Sequence, residues 1–133
     1  METDDYFKKV KDLIVGKKIT KLTDDTILLD DGTELELYES AQDCCAIAYG
    51  EWTGGDLEAG ITDIVFNEDD AVDDEWDESS VTGTITILHN QNKVATAECH
   101  ANNGNGGYYF SVLNLKVKLP NGETLDEEIL SCY

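Results

Sequence analysis

Apolar and polar residues alternate along most of this chain, and no other feature limits its fold as strongly. The runs with a two-residue period are KITKLT, TILLD, TELELYE, VTGTITILH, KVATAECH and YYFSVLNLKVKL. Successive side chains of a β-strand point to opposite faces, so this period predicts strands with one buried and one exposed face. Turn residues at positions 30–32 and 90–92 separate neighbouring runs and favour antiparallel pairing. We therefore expect an antiparallel β-meander, either open or curled toward a barrel.

The N-terminal segment follows a helical period instead. Phe7 and Ile14 fall on one face of a predicted helix at residues 4–15, with Thr3 as its N-cap. Gly16 then ends the helix, because glycine readily adopts the left-handed conformation that closes many helices. One short amphipathic helix is expected in the chain.

A chain of 133 residues is long enough for one domain with its own core. The expected fold class is α+β, mostly antiparallel β-sheet with that single N-terminal helix. The domain then divides into the helix, a β-rich body at residues 17–119 and a C-terminal segment at residues 123–133 that fits either strand or helix. Two stretches interrupt the alternation. We interpret EWTGGDLEAG as a loop or short helix and EDDAVDDEWDESS as an exposed loop.

The formal net charge of −20 is concentrated in one part of the sequence. All nine basic residues are lysines, and none lies between Leu22 and Asn92, a stretch that holds 20 of the 29 acidic residues. Nucleic acid binding needs basic side chains that replace the counterions of the phosphates, so direct binding to nucleic acid is not expected. An acidic surface instead attracts basic proteins. A basic surface on a host protein is therefore the expected partner.

The acidic residues are densest from Glu68 to Glu78, the acidic segment, where eight of eleven residues are Asp or Glu. Trp76 lies within it, and Trp52 lies in the first predicted loop. A large aromatic ring in a loop is expected either to pack against the rest of the protein or to contact a partner. The candidate partner-binding residues are Asp69, Asp70, Asp73, Asp74, Glu75, Trp76, Asp77 and Glu78.

The stretch QDCCAIAY contains two adjacent cysteines that could serve as metal ligands or nucleophiles. Structural zinc sites usually space cysteines by two residues, and Cys99 and His100 would point to opposite faces of one strand. An acidic neighbourhood also raises thiol pKa values and makes reactive thiolates scarce. We expect no metal, no cofactor and no enzyme activity. Asp43 is then interpreted as a turn residue, with Cys44 or Cys45 buried.

The same stretch is also a candidate for one edge of a small-molecule pocket. Backbone amides of the later glycine-rich turn, residues 104–107, could meet an anionic group such as a nucleotide signal. The candidate pocket residues are Tyr38, Asp43, Cys44, Asn105, Gly106 and Tyr108.

No run of 18 apolar residues is present, so no membrane contact is expected. The N-terminus is charged and lacks the apolar centre of a signal peptide, which predicts a cytosolic protein.

The order IVGKKITKL, an acidic hairpin, ELYESAQDCC, an ITDI strand and a late NGGYYFSV strand resembles a group of small uncharacterised bacteriophage and prophage proteins. Those proteins carry an Asp-Cys-Cys motif and an Asn-Gly-Tyr-Tyr strand, and the resemblance covers residues 15–118. This chain departs from the pattern by one extra glycine, Gly107. The matching residues are Asp43, Cys44, Cys45, Asn105, Gly106, Tyr108 and Tyr109.

The resemblance implies a viral accessory protein that acts in the cytoplasm of the bacterial host. Together with the charge, it predicts a non-enzymatic protein that binds and antagonises a host factor, such as a defence nuclease, through its acidic surface. The alternatives are a protein that binds and sequesters a nucleotide signal, and a metal-binding or structural, virion-associated domain.

Overall fold

The computed structural model describes residues 3–42, 46–54, 59–68, 72–73, 79–102 and 111–132. These residues form one helix and ten strands, mostly antiparallel β-structure as the alternation predicts. The elements are α1 (Thr3–Ile14), β1 (Ile19–Leu22), β2 (Thr26–Leu29), β3 (Glu34–Gln42), β4 (Ala48–Gly54), β5 (Asp63–Glu68), β6 (Val72–Asp73), β7 (Ser79–His89), β8 (Asn92–Asn102), β9 (Ser111–Lys118) and β10 (Thr124–Cys132).

The strands form two antiparallel sheets. The first has the order β1-β2-β3-β9-β10 and the second β4-β8-β7-β5, with β6 paired to the start of β7. The first three strands are the expected meander, with Gly32 at a φ of 97° in the turn between β2 and β3. The chain then leaves the meander, because β3 pairs with β9 and not with β4. Neither sheet closes into a barrel within the described residues.

The core lies between the two sheets. Leu37 and Leu113 of the first sheet point inward and meet Cys99 of the second beside Gly50, where a Cβ atom would lie 2.8 Å from Leu37. The apolar face of α1 joins this core through Val10 and its neighbours, all of them buried. Each strand therefore buries one side of its alternating sequence, which is why the period of two is so regular.

Two stretches that we interpreted as loops contain strands. Residues 51–54 belong to β4, and Trp52 is a core residue with 1% of its surface exposed. The loop interpretation of these residues was wrong because Gly54 looked like a turn residue, whereas it pairs with Ala95 of β8, where a Cβ atom would lie 2.9 Å from the Val94 carbonyl oxygen. In the acidic segment, Val72–Asp73 forms the short strand β6. The C-terminal segment, whose sequence fits either a strand or a helix, forms strand β10.

The helix is fixed to both sheets by aromatic side chains. Tyr6 is 2% exposed, and its hydroxyl donates a hydrogen bond to the Leu115 carbonyl oxygen at 2.6 Å. The burial of Tyr6 raises the pKa of this hydroxyl. Phe7 stacks on Phe66 of β5 with ring centroids 5.2 Å apart. The Phe66 ring extends over Gly83 of β7, which lies diagonally across from it, and a Cβ atom at Gly83 would lie 2.8 Å from the ring.

An ion pair links the end of the helix to the first hairpin. The Lys17 Nζ lies 2.5 Å from the Asp31 Oδ2, and the Thr33 amide donates to the Asp31 Oδ1 at 2.9 Å. Partial burial acts to raise the pKa of Asp31, but the hydrogen bonds from Lys17 and Thr33 outweigh it and lower that pKa to about 2. The charged carboxylate is thus the form that stabilises this connection.

We predict that Tyr6→Phe lowers the free energy of unfolding by about 1–2 kcal/mol, because it leaves the buried Leu115 carbonyl without this donor. Urea unfolding at pH 7 measures the change, with the half-exposed Tyr49→Phe as the matched control. A loss no larger than that of the control would show that the hydroxyl does not contribute to the stability of the helix.

We predict that Asp31→Asn costs less than about 1 kcal/mol of unfolding free energy at pH 7, since both side chains are about one-third exposed to screening solvent. The folded pKa of about 2 lies below the ordinary value of 3.8, so the contribution is complete above about pH 4 and disappears as pH falls toward 2. Urea titrations across that range should show the two proteins converging. Asp30→Asn, at the neighbouring exposed carboxyl, should show no such convergence.

Candidate functional site

The outer face of the second sheet carries a row of three side chains from three strands. Tyr49 of β4 lies opposite His100 of β8, which in turn lies opposite Thr82 of β7. The Tyr49 ring is 52% exposed, and its centroid is 5.2 Å from that of His100, with the planes tilted by 31°. This row presents an aromatic surface held in place by a neighbouring ring.

The next row on the same face is acidic. Glu51 of β4 lies opposite Glu98 of β8, and Glu98 lies opposite Thr84 of β7. Both glutamates are exposed. The residues between the two rows, such as Cys99, point into the core, so the rows are direct neighbours on the surface.

A shallow hollow of about 300 Å³ lies across these rows, and we call it the Tyr49 hollow. It combines a half-exposed aromatic ring, a carboxylate and two threonines on a rigid four-stranded sheet. Its lining residues are Tyr49, Thr82, Gly83, Thr84, Glu98, Cys99 and His100.

The two sheets are joined beside this hollow at what we call the sheet corner, formed by Ile47, Asn102 and Ser111. Ile47 and Asn102 exchange hydrogen bonds, from the Asn102 amide to the Ile47 carbonyl at 2.9 Å and from the Ile47 amide to the Asn102 side chain at 3.0 Å. The buried Ser111 hydroxyl contacts both carbonyl oxygens, at 3.0 Å for Ile47 and 2.6 Å for Asn102. The corner therefore binds the start of β4, the end of β8 and the start of β9 into one unit.

The sheet corner also brings together the described ends that flank the Asp-Cys-Cys and glycine-rich segments. Residues 43–45 follow β3 and precede Ile47, while residues 103–110 separate Asn102 from Ser111. Both segments lie outside the described residues, but the chain enters and leaves each of them at this corner.

The acidic segment begins and ends at the same end of the second sheet. Val72 of β6 pairs with Ser80 of β7, and Ser80 pairs with Asn102 of the sheet corner. Thr82 of the hollow is only two residues further along β7, or about 7 Å. Strand β6 of the acidic segment is therefore close to the Tyr49 hollow.

Most of the residues predicted from sequence lie outside the described part of the chain. Of the partner-binding set, the structure describes only the backbone of Asp73, in β6. Of the pocket set it describes only Tyr38, so the grouping of that set remains a prediction. The undescribed residues are Asp69, Asp70, Asp74, Glu75, Trp76, Asp77 and Glu78, and then Asp43, Cys44, Asn105, Gly106 and Tyr108.

Tyr38 lies on the outer face of the first sheet, in a polar network across three strands. Its hydroxyl donates a hydrogen bond to Asp126, and this bond raises the pKa of Tyr38. Asp126 also accepts a hydrogen bond from the Asn114 side-chain amide at 2.8 Å. The Lys116 ammonium lies 5.9 Å from the centroid of the Tyr38 ring. Tyr38 thus belongs to a different sheet face from Tyr49.

The described residues show no group of three or more metal-ligating side chains. Cys99 points into the core, where burial raises the pKa of its thiol to about 12, while His100 points outward. At neutral pH this thiol is therefore protonated and unreactive. Within the described part of the chain, no helix is both long and apolar enough to cross a bilayer.

Sequence reasoning missed the Tyr49 hollow, although a signal for it was present. AYGEWTG alternates small or buried residues with Tyr49, Glu51 and Thr53, and TAECHA does the same with Glu98 and His100. Reading the first of these runs as a strand would have placed the Tyr49 ring and the Glu51 carboxylate on one exposed face.

Comparison with protein-family models matches residues 12–115 to DUF7448, a domain of unknown function. The chain belongs to the DUF7448 family. The DUF7448 region begins within α1 and ends within β9, so it contains both the sheet corner and the Tyr49 hollow. Neither curated proteins nor solved structures give a match.

We predict that Ser111→Ala loosens the sheet corner, because it leaves the Ile47 and Asn102 carbonyl oxygens without the hydroxyl that contacts them. The expected cost is about 1–2 kcal/mol of unfolding free energy, with faster hydrogen exchange at the Asn102 amide. Ser40→Ala, which removes an exposed hydroxyl, is the control. Unchanged exchange at Asn102 would contradict the role given to Ser111.

Proposed function

We propose that this DUF7448 protein is a non-enzymatic, phage-encoded accessory protein that binds a basic surface on a host protein and antagonises it. The observation that carries the proposal is the separation of charge. The stretch between Leu22 and Asn92 holds 20 acidic residues and no lysine, while the rest of the chain has nine of each. An acidic surface of this kind steers the approach of basic partners and repels nucleic acid.

The arrangement of acidic groups at one end of the second sheet supports the proposal. Strand β6 of the acidic segment is close to the Tyr49 hollow, which is lined by Glu98 and flanked by Glu51 opposite it. Tyrosine is one of the residues enriched at protein-binding hot spots, and acidic groups beside it would favour a basic partner. A nuclease whose substrate groove is basic is one host factor that such a surface would block.

The viral origin in this proposal rests on the sequence resemblance around the Asp-Cys-Cys and Asn-Gly-Tyr-Tyr motifs. Membership of DUF7448 brings no activity with it. The antagonism of a host defence system is therefore proposed from charge and resemblance together, with the bacterial cytoplasm as the site of action.

The sheet corner favours a second candidate function. It joins the described ends that flank five of the six predicted pocket residues, which is what a small-molecule site at this corner requires. Native mass spectrometry of freshly purified protein tests this candidate. A retained nucleotide would support sequestration of a signal, and a bare chain mass in every preparation would count against it.

We predict that the host partner, captured with tagged protein from expressing bacteria and then purified, binds in a steeply salt-dependent manner. Dissociation constants measured between 50 and 500 mM NaCl should weaken by at least about a hundredfold, because several charge pairs are screened. Neutralising four acids of the acidic segment (Asp70→Asn, Asp74→Asn, Glu75→Gln and Asp77→Asn) should weaken binding at 50 mM NaCl by at least tenfold.

The matched control changes the net charge by the same four units elsewhere. It combines Asp5→Asn, Asp12→Asn, Glu123→Gln and Glu127→Gln, which lie outside the lysine-free stretch. If the control weakens binding as much as the acidic-segment variant, net charge alone attracts the partner. Salt-independent binding would refute the proposal.

A further inference from the structure

The glutamates Glu51 and Glu98 are opposed across two paired strands, which places like charges side by side. Directly opposed like charges destabilise a sheet. The first sheet avoids this arrangement on its outer face, where Glu34 lies opposite Lys118 and Glu36 lies opposite Lys116. The acidic row of the second sheet is therefore the exception.

Among the described residues, neither Glu51 nor Glu98 forms an ion pair with a lysine. The sequence has nine lysines and no arginine, and all nine lie in the described part of the chain. In the second sheet the single lysine is Lys93, five residues along β8 from Glu98 and so about 17 Å away. That separation is about twice the screening length of about 8 Å at physiological ionic strength. A positive charge from another molecule could therefore pair with both glutamates.

The Tyr49 ring supplies the second half of a recognition site. It is half exposed beside the carboxylates, and its face can accept a cation. A guanidinium group is planar, stacks on aromatic rings and pairs with carboxylates in a fork geometry. An ammonium group is more strongly hydrated and cannot stack in this way. The hollow of about 300 Å³ is wide enough for one such side chain.

We infer that the Tyr49 hollow binds an arginine side chain of the basic partner, with the guanidinium over the Tyr49 ring and paired with Glu51 and Glu98. This inference rests on the proposed function and adds to it the chemistry that the partner must present. Thr82 and Thr84 border the site, and the His100 ring packs against Tyr49 and fixes its position.

The test uses fluorescein-labelled hexaarginine and hexalysine peptides as probes, titrated with the full-length protein at 50 mM NaCl and followed by fluorescence anisotropy. Charge attraction alone treats the two peptides alike, whereas the hollow favours arginine. We expect hexaarginine to bind about fivefold more tightly than hexalysine. Equal affinities would overturn the inference.

Variants of Glu51, Glu98 and Tyr49 test which residues cause the preference for arginine. Glu51→Gln with Glu98→Gln should weaken hexaarginine binding by about tenfold, and more than the charge-matched control Glu123→Gln with Glu127→Gln. Tyr49→Leu should remove the preference for arginine, while Tyr49→Phe, which keeps the ring, should retain it. Circular dichroism and urea unfolding confirm that each variant is folded.

Failure of this inference is distinguishable from failure of the proposed function. If the Glu51 and Glu98 double variant behaves like its control, or if Tyr49→Leu keeps the arginine preference, the hollow is not an arginine site, whatever the acidic segment does. If neutralising the acidic segment leaves binding to the host partner unchanged, the proposed function fails although the peptide preference remains.

Discussion

The hydrogen bonds among Ile47, Asn102 and Ser111 are the connection on which the rest of the fold depends. At this corner β3 and β9 end their pairing in the first sheet, and β4 and β8 begin theirs in the second. The chain passes the corner twice, once between β3 and β4 and once between β8 and β9. The inward faces of both sheets therefore enclose one core. The buried serine hydroxyl adds a side-chain contact to the Ile47 and Asn102 carbonyl oxygens at the point where the paired strands of the two sheets meet.

The corner also explains why the distinctive surface features share one end of the molecule. Strand β6 of the acidic segment is more than 20 residues from Tyr49 and the Asp-Cys-Cys segment in the sequence, yet β6 and β4 both join the second sheet within a few residues of Asn102. A rigid sheet edge with convergent loops is a common way to build a binding surface. The lysines lie chiefly on α1, β1 and β9, and several of them pair with acidic residues of the first sheet and its turns, so the second sheet keeps most of its acidic groups unpaired with lysine.

Local patterns predicted the elements better than they predicted their arrangement. Alternation predicted most strands and spacing placed the helix within one residue of its position, because both depend on neighbours in the sequence. Strand β4 was missed because Gly54 resembles a turn residue, and only its pairing with Ala95 of β8 shows why a residue without a Cβ atom stands there. The opposition of Glu51 and Glu98 depends on a strand register between distant segments, which one sequence does not contain.

The pairing of β3 with β9 affects how the chain reaches this fold. Ser40 and Asn114 contact each other across 74 residues, with the whole second sheet between them in the sequence. During synthesis the meander of β1, β2 and β3 must therefore exist with one side of β3 unpaired until β9 emerges. Contacts so distant in sequence slow folding and leave strand edges open to other chains. The acidic residues concentrated in the intervening chain repel one another between copies, which protects that open edge from aggregation while the chain is incomplete.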